Sequence, residues 1–147
     1  MKRYILLLSL FCACSPKIKK AEQKQYPFDV VEVLASGGFA GTTTGYSIQK
    51  NAEINFIYRK PNAVGNDKYY RSSSIDSVSM LFDKIMASGI YDASFQKTGN
   101  MTYSISFRKD TSIRTIYWTD GLDSTENYIR MYRMIRDFAS GRGKLSE

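Results

Sequence analysis

The sequence predicts an α+β domain, an antiparallel sheet of about five strands with two helices packed on one face. Two observations carry that prediction. Apolar residues recur at period two in short runs that come in pairs, and at helical spacing in two longer runs bounded by capping residues. No strand-helix-strand alternation calls for a parallel sheet. With 147 residues, 43% of them hydrophobic and 24% charged, the chain has the size and composition of one ordinary domain.

The elements follow in order. Phe28, Val30, Glu32 and Leu34 alternate with Asp29, Val31, Val33 and Ala35, and both sets are apolar enough to predict a strand with considerable burial. Gly37-Gly38-Phe39-Ala40-Gly41 breaks it. Tyr46 and Ile48, a turn at Asn51-Ala52, then Ile54, Phe56 and Tyr58 predict a hairpin, with Asn51 the residue suited to a left-handed turn position. Lys60-Pro61-Asn62 and Gly65-Asn66-Asp67 predict a loop that continues through Tyr69-Tyr70. Ser74 is a natural N-cap for a helix carrying Ile75, Val78, Leu81, Phe82, Ile85 and Met86 on one stripe, with Asp76 in its first turn and Gly89 and Ile90 at its end. A second hairpin pairs Tyr103, Ile105 and Phe107 with a return strand from Ile113 to Trp118. The last helix starts at Asp123 or Ser124, carries Tyr128, Met131, Tyr132, Ile135 and Phe138, and ends at Gly141.

Composition narrows the chemistry. There is no His, and the two cysteines are Cys12 and Cys14, so the folded part has no imidazole base, no His or Cys metal ligand and no catalytic thiol. The formal charge of +7 is concentrated at the start: Lys2 and Arg3 open the chain, and Lys17, Lys19, Lys20 and Lys24 stand against Glu22 before residue 26, which leaves +2 on the folded part. Nucleic-acid binding is not expected from so weak a balance. Asp120, Asp123 and Glu126 are spaced three apart, but a turn and a capping box account for them better than a calcium loop does. Arg130 and Arg133 are expected to pair with Glu126 and Asp137 on a solvated face. No cofactor, metal site or catalytic residue is assigned.

The first residues carry an address. Met1-Lys2-Arg3 precedes a short apolar run from Tyr4 to Phe11, too short to span a bilayer, and Cys12-Ala13-Cys14-Ser15-Pro16 follows. This stretch resembles the signal peptide and lipobox of bacterial lipoproteins, of the looser kind found in Bacteroidota, with Phe11, Cys12 and Ala13 before the acylated position and Cys14 in it. The resemblance implies that residues 1–13 are removed, that Cys14 is lipidated and that residues 14–25 form a basic tether. The domain is then residues 26–147. The resemblance also implies a membrane partner through the lipid, and Ser15 together with the basic, not acidic, Lys17-Ile18-Lys19-Lys20 implies the periplasmic side of the outer membrane. The folded part is similar to small uncharacterised lipoprotein domains of Bacteroidota, which bring no activity with them.

Candidate binding residues are Gly38, Phe39 and Gly41 in the Gly-rich stretch, Tyr69 and Tyr70, and Trp118 at a strand end. Glycines with no following Lys, leading into a strand, do not make a phosphate loop. The stretch from Gly37 to Gly45 is expected to be a loop between edge strands, a bulged strand, or a recognition loop that presents Phe39. Exposed aromatics offer contact area at low entropic cost, while core packing is the alternative for Trp118. There is no Gly-x-Ser-x-Gly element. The expected function is a non-enzymatic protein- or peptide-binding envelope module. The alternatives are a glycan or small-ligand binder and a carboxylate-dependent hydrolase.

Overall fold

The computed structural model describes residues 24–61, 65–120 and 125–143. The residues proposed for removal, lipidation and most of the tether, Cys14 among them, lie outside the described residues. Six strands and two helices form the α+β fold: β1 (Val30–Gly37), β2 (Thr42–Gln49), β3 (Glu53–Arg59), β4 (Asn66–Ser72), α1 (Ile75–Ala87), β5 (Met101–Lys109), β6 (Ser112–Thr119) and α2 (Glu126–Ser140). The sheet order is β4-β3-β2-β1-β5-β6, with every neighbouring pair antiparallel. A meander of four strands is thus joined to a hairpin by α1, and β1 lies between the two halves.

The central place of β1 explains why its sequence is apolar on both sides. Val31 and Val33 point under the helices with no exposed surface, while Glu32 and Leu34 on the other face are half-buried by the strands on either side. Register carries the buried row across the sheet: Val31 faces Ile48 and Phe107, and Val33 faces Tyr46 and Ile105. Ile116 and Trp118 of β6 and Ile54 of β3 extend it. Burying this row against Val78, Leu81, Phe82 and Ile85 of α1 and Met131, Tyr132, Ile135 and Phe138 of α2 makes one core. Each fully buried aliphatic or aromatic side chain contributes about 1.5 to 3 kcal/mol.

The sixth strand, β4, replaces the expected loop. Asn-Asp-Lys-Tyr-Tyr-Arg-Ser has no period-two signal because it is an edge strand with a register shift opposite Ile54 and Asn55, so neither side is deeply buried. At the other edge, Phe95 accepts a backbone hydrogen bond from Tyr117 and Lys97 donates one back, which covers part of β6.

The ends of α1 behave as the sequence dictates. Ser74 Oγ accepts from Ser77 N at 3.1 Å, and Gly89 takes φ 70 after α1 with Ile90 buried behind it. Ile75 and Met86, at the margins of the predicted stripe, are exposed. Helix α2 is regular from Glu126, follows Thr125 and ends in left-handed Gly141 at φ 79. The expected capping residues Asp123 and Ser124 lie outside the described residues.

Candidate functional site

Two places on this scaffold carry unusual chemistry, the β1–β2 turn and a cleft beside α2. The Gly-rich stretch divides in three. Gly37 closes β1 at φ 115 with so little space that a Cβ would stand 2.1 Å from the Asn100 carbonyl oxygen. Residues 38–41 make the turn, closed by Gly41 N donating to Gly38 O at 3.1 Å and anchored by Gly38 N donating to Asn100 O at 2.8 Å. Thr42 to Gly45 are ordinary β2 residues, so the stretch joins two central strands and not two edge strands. At the apex Phe39 is fully exposed and Ala40 beside it is exposed. A wholly solvated Phe forgoes roughly 1.5 to 3 kcal/mol of burial. Just below, Ser36 Oγ and Thr43 Oγ1 bridge the two strands at 2.8 Å, so the turn stands on a firm base.

The other candidate residues are scattered. Tyr69 and Tyr70 lie on edge strand β4, 65% and 48% exposed; Tyr69 shares a hydrogen bond with Ser72 Oγ, whereas the Tyr70 ring sits 5.5 Å from that of Tyr46. Tyr46 in turn meets Phe56 edge-on at 5.5 Å. Trp118 has no exposed surface and packs in the core, where it also lines a cleft beside α2. It faces Tyr103 across the sheet and is enclosed by Tyr128 and Tyr132 of α2.

The cleft beside α2 was not predicted, although Trp118, one of the candidate binding residues, lines it. It encloses about 140 Å³ and is lined by Tyr103, Trp118, Asp120, Ile129, Tyr132, Arg133 and Arg136. Tyr103 Oη donates to Asp120 Oδ2 at 3.2 Å. Burial, then the nearby Asp120 carboxylate, push the Tyr103 phenol up, while the guanidiniums of Arg133 and Arg136 pull the other way. Burial pushes Tyr132 up to about 12, so both phenols are neutral at physiological pH. Among the described residues the buried Trp118 Nε1–H has no acceptor. The expected four-residue ion pairs on α2 do not form: Arg130 donates to Asn127 Oδ1 at 3.0 Å, and Arg136 pairs with the adjacent Asp137 at 3.0 Å. Arg133 is left with no ion pair among the described residues. Sequence spacing alone could not reveal this, because i,i+4 geometry permits pairs that the cleft side of the helix does not make.

A larger cleft of about 520 Å³ lies where the chain enters the domain, lined in part by Lys24, Tyr26, Asp29, Lys50 and Lys109. Lys24 is paired with Asp83 and Lys50 with Asp29, both at 2.7 Å, and Lys109 donates to the Tyr26 carbonyl at 3.3 Å. Against the expectation that no such element exists, Ser-x-x-Lys spacing occurs at Ser47–Lys50, Ser94–Lys97 and Ser106–Lys109. In a strand that spacing sends the two side chains to opposite faces; Ser47 is buried and Lys50 is held by Asp29. No family model matches the chain, and no curated protein matches it either.

Proposed function

We propose that the chain is a lipid-anchored periplasmic envelope protein that binds a protein or peptide through the tip of its β1–β2 hairpin, without catalysing a reaction. The observation that carries this reading is Phe39, an apolar side chain fully exposed at the apex of a turn whose base is fixed by backbone hydrogen bonds. The course of the chain supports it. Strand β1 starts at Val30, just after the tether, and its 8 residues carry the chain about 26 Å at roughly 3.3 Å per residue before the turn. An anchor at Cys14 would thus join the domain at the end of β1 opposite to Phe39.

The test is Phe39→Ala, with thermal unfolding and crosslinked partner capture measured on one preparation. Loss of capture at unchanged stability supports the reading; a lowered melting temperature refutes it. The anchor is tested separately: Cys14→Ser is expected to leave the membrane fraction, and an intact unmodified chain starting at Met1 would sink the lipoprotein assignment. A second reading, a glycan or small-ligand binder, is favoured by the Tyr46, Phe56 and Tyr70 ring group beside exposed Tyr58.

A further inference from the structure

We infer that the cleft between α2 and the end of β6 is a binding site for a free carboxylate carried on one small residue. This site is separate from the hairpin tip and does not depend on it. The argument begins with the balance of donors and acceptors. Arg133 and Arg136 stand three residues apart on one flank of α2, and both line the cleft. Arg136 is already shared with Asp137, while Arg133 has no ion pair among the described residues. Trp118 adds a buried N–H with no acceptor among the described residues. The one carboxylate in the lining, Asp120, already accepts from Tyr103 Oη.

Among the described residues the cleft region thus holds a guanidinium with no ion pair and an N–H with no acceptor, against one carboxylate that is already engaged, and the group that completes it is an acceptor. A guanidinium binds a planar carboxylate through two parallel hydrogen bonds, which gives geometric selectivity as well as attraction. Arg136 is matched by Asp137, so the Arg133 guanidinium is the cation left to meet a ligand, and a monoanion matches its single charge. A phosphate dianion would overshoot that charge and face Asp120. The volume of about 140 Å³ admits one small residue, and Ile129 with the Tyr103, Trp118 and Tyr132 rings offers its side chain an apolar wall. The carboxylate could belong to a peptide C-terminus or to a free small acid, since both present the same group.

Trp118 is the chain's only tryptophan, so its fluorescence reports the cleft directly. The purified full chain is titrated with tri-alanine, tri-alanine amide, N-acetyl-alanine and inorganic phosphate. Tri-alanine is expected to change the Trp118 emission saturably, with the amide weaker by at least about tenfold because the charge-assisted pair is gone. Tighter binding of tri-alanine than of N-acetyl-alanine assigns a peptide terminus, and equal binding assigns a small acid. Arg133→Ala should abolish the response and Arg133→Lys should weaken it, while Arg130→Ala, outside the cleft, should leave it unchanged. If Arg133→Ala fails to fold by circular dichroism, Arg133→Gln takes its place. Absence of saturation by about 10 mM tri-alanine overturns the inference, as do equal binding of acid and amide, tighter binding of phosphate, or wild-type affinity in the folded Arg133 variant.

Discussion

Gly45 has no room for a side chain. A Cβ there would stand 1.9 Å from the Val33 carbonyl oxygen and 2.9 Å from Leu34 Cδ2, because β1 and β2 approach closely in the middle of the sheet. Gly45→Ala is therefore expected to destabilise the fold by about 3 kcal/mol or more, since a backbone carbonyl cannot move aside as a side chain can. Phe39→Ala, in the same Gly-rich stretch, is expected to cost less than about 0.5 kcal/mol because Phe39 covers nothing. Urea denaturation of the two variants checks both; equal destabilisation would overturn the division of this stretch into structural and exposed parts. Sequence marked the stretch as unusual but could not divide it, because glycine serves equally for a left-handed turn and for a close approach. The β2–β3 turn shows the same limit. Ala52, not Asn51, takes the left-handed conformation at φ 70, because Asn51 Oδ1 accepts from Glu53 N and the Ala52 carbonyl accepts from Ser73 N.

Helix α2 meets the sheet through rings. Tyr132 stands edge-on to Trp118 at 5.9 Å and to Tyr103 at 5.5 Å, and is 6% exposed. Its stripe was legible because Met131, Tyr132, Ile135 and Phe138 recur at helical spacing. The cleft on its flank was not, since that depends on which arginines find partners. Burial holds the Tyr132 proton in the folded state up to about pH 12, whereas an unfolded tyrosine releases it near pH 10. The contribution to stability is thus complete below about pH 10 and is lost as pH rises through the folded value. Stability of the wild type should fall by up to roughly 2 to 3 kcal/mol between those limits, relative to Tyr132→Phe. The other tyrosines titrate in both proteins, so the difference between the two denaturation curves isolates Tyr132. Curves that stay parallel from pH 9 to 12 would show that Tyr132 is not held neutral by the fold.

At the scale of the molecule, the pairing of β1 with β5 decides how the domain behaves. Both hairpins and both helices announce themselves by local periodicity, but nothing local says that β5 joins the free side of β1; that choice is made by nonlocal packing. The result is a single cluster in which Val31 and Val33 of β1, Ile48, Ile54, Phe82, Ile105, Trp118 and Ile135 all share one interior. The segment before β1 belongs to it from Tyr26 onward. Tyr26 Oη donates to Ser79 O and to Asp83 Oδ1, both at 3.0 Å, and its ring meets Phe82 at 5.2 Å, while Phe28 packs on Phe82 and Phe107 at 4.9 and 5.1 Å. Lys24 adds only an exposed ion pair with Asp83, of the kind that contributes little. Removing residues 1–24 should therefore leave a chain that melts in one cooperative transition. Extending the deletion through Phe28 should remove the aromatic wedge between α1 and β5 and lower the stability by about 3 kcal/mol or more, as loss of a buried Phe does. Calorimetry of the two truncations decides it: a broad transition in the shorter deletion would mean that the core does not close without the tether, and identical melting of both would mean that Tyr26 and Phe28 do not hold α1 to the sheet.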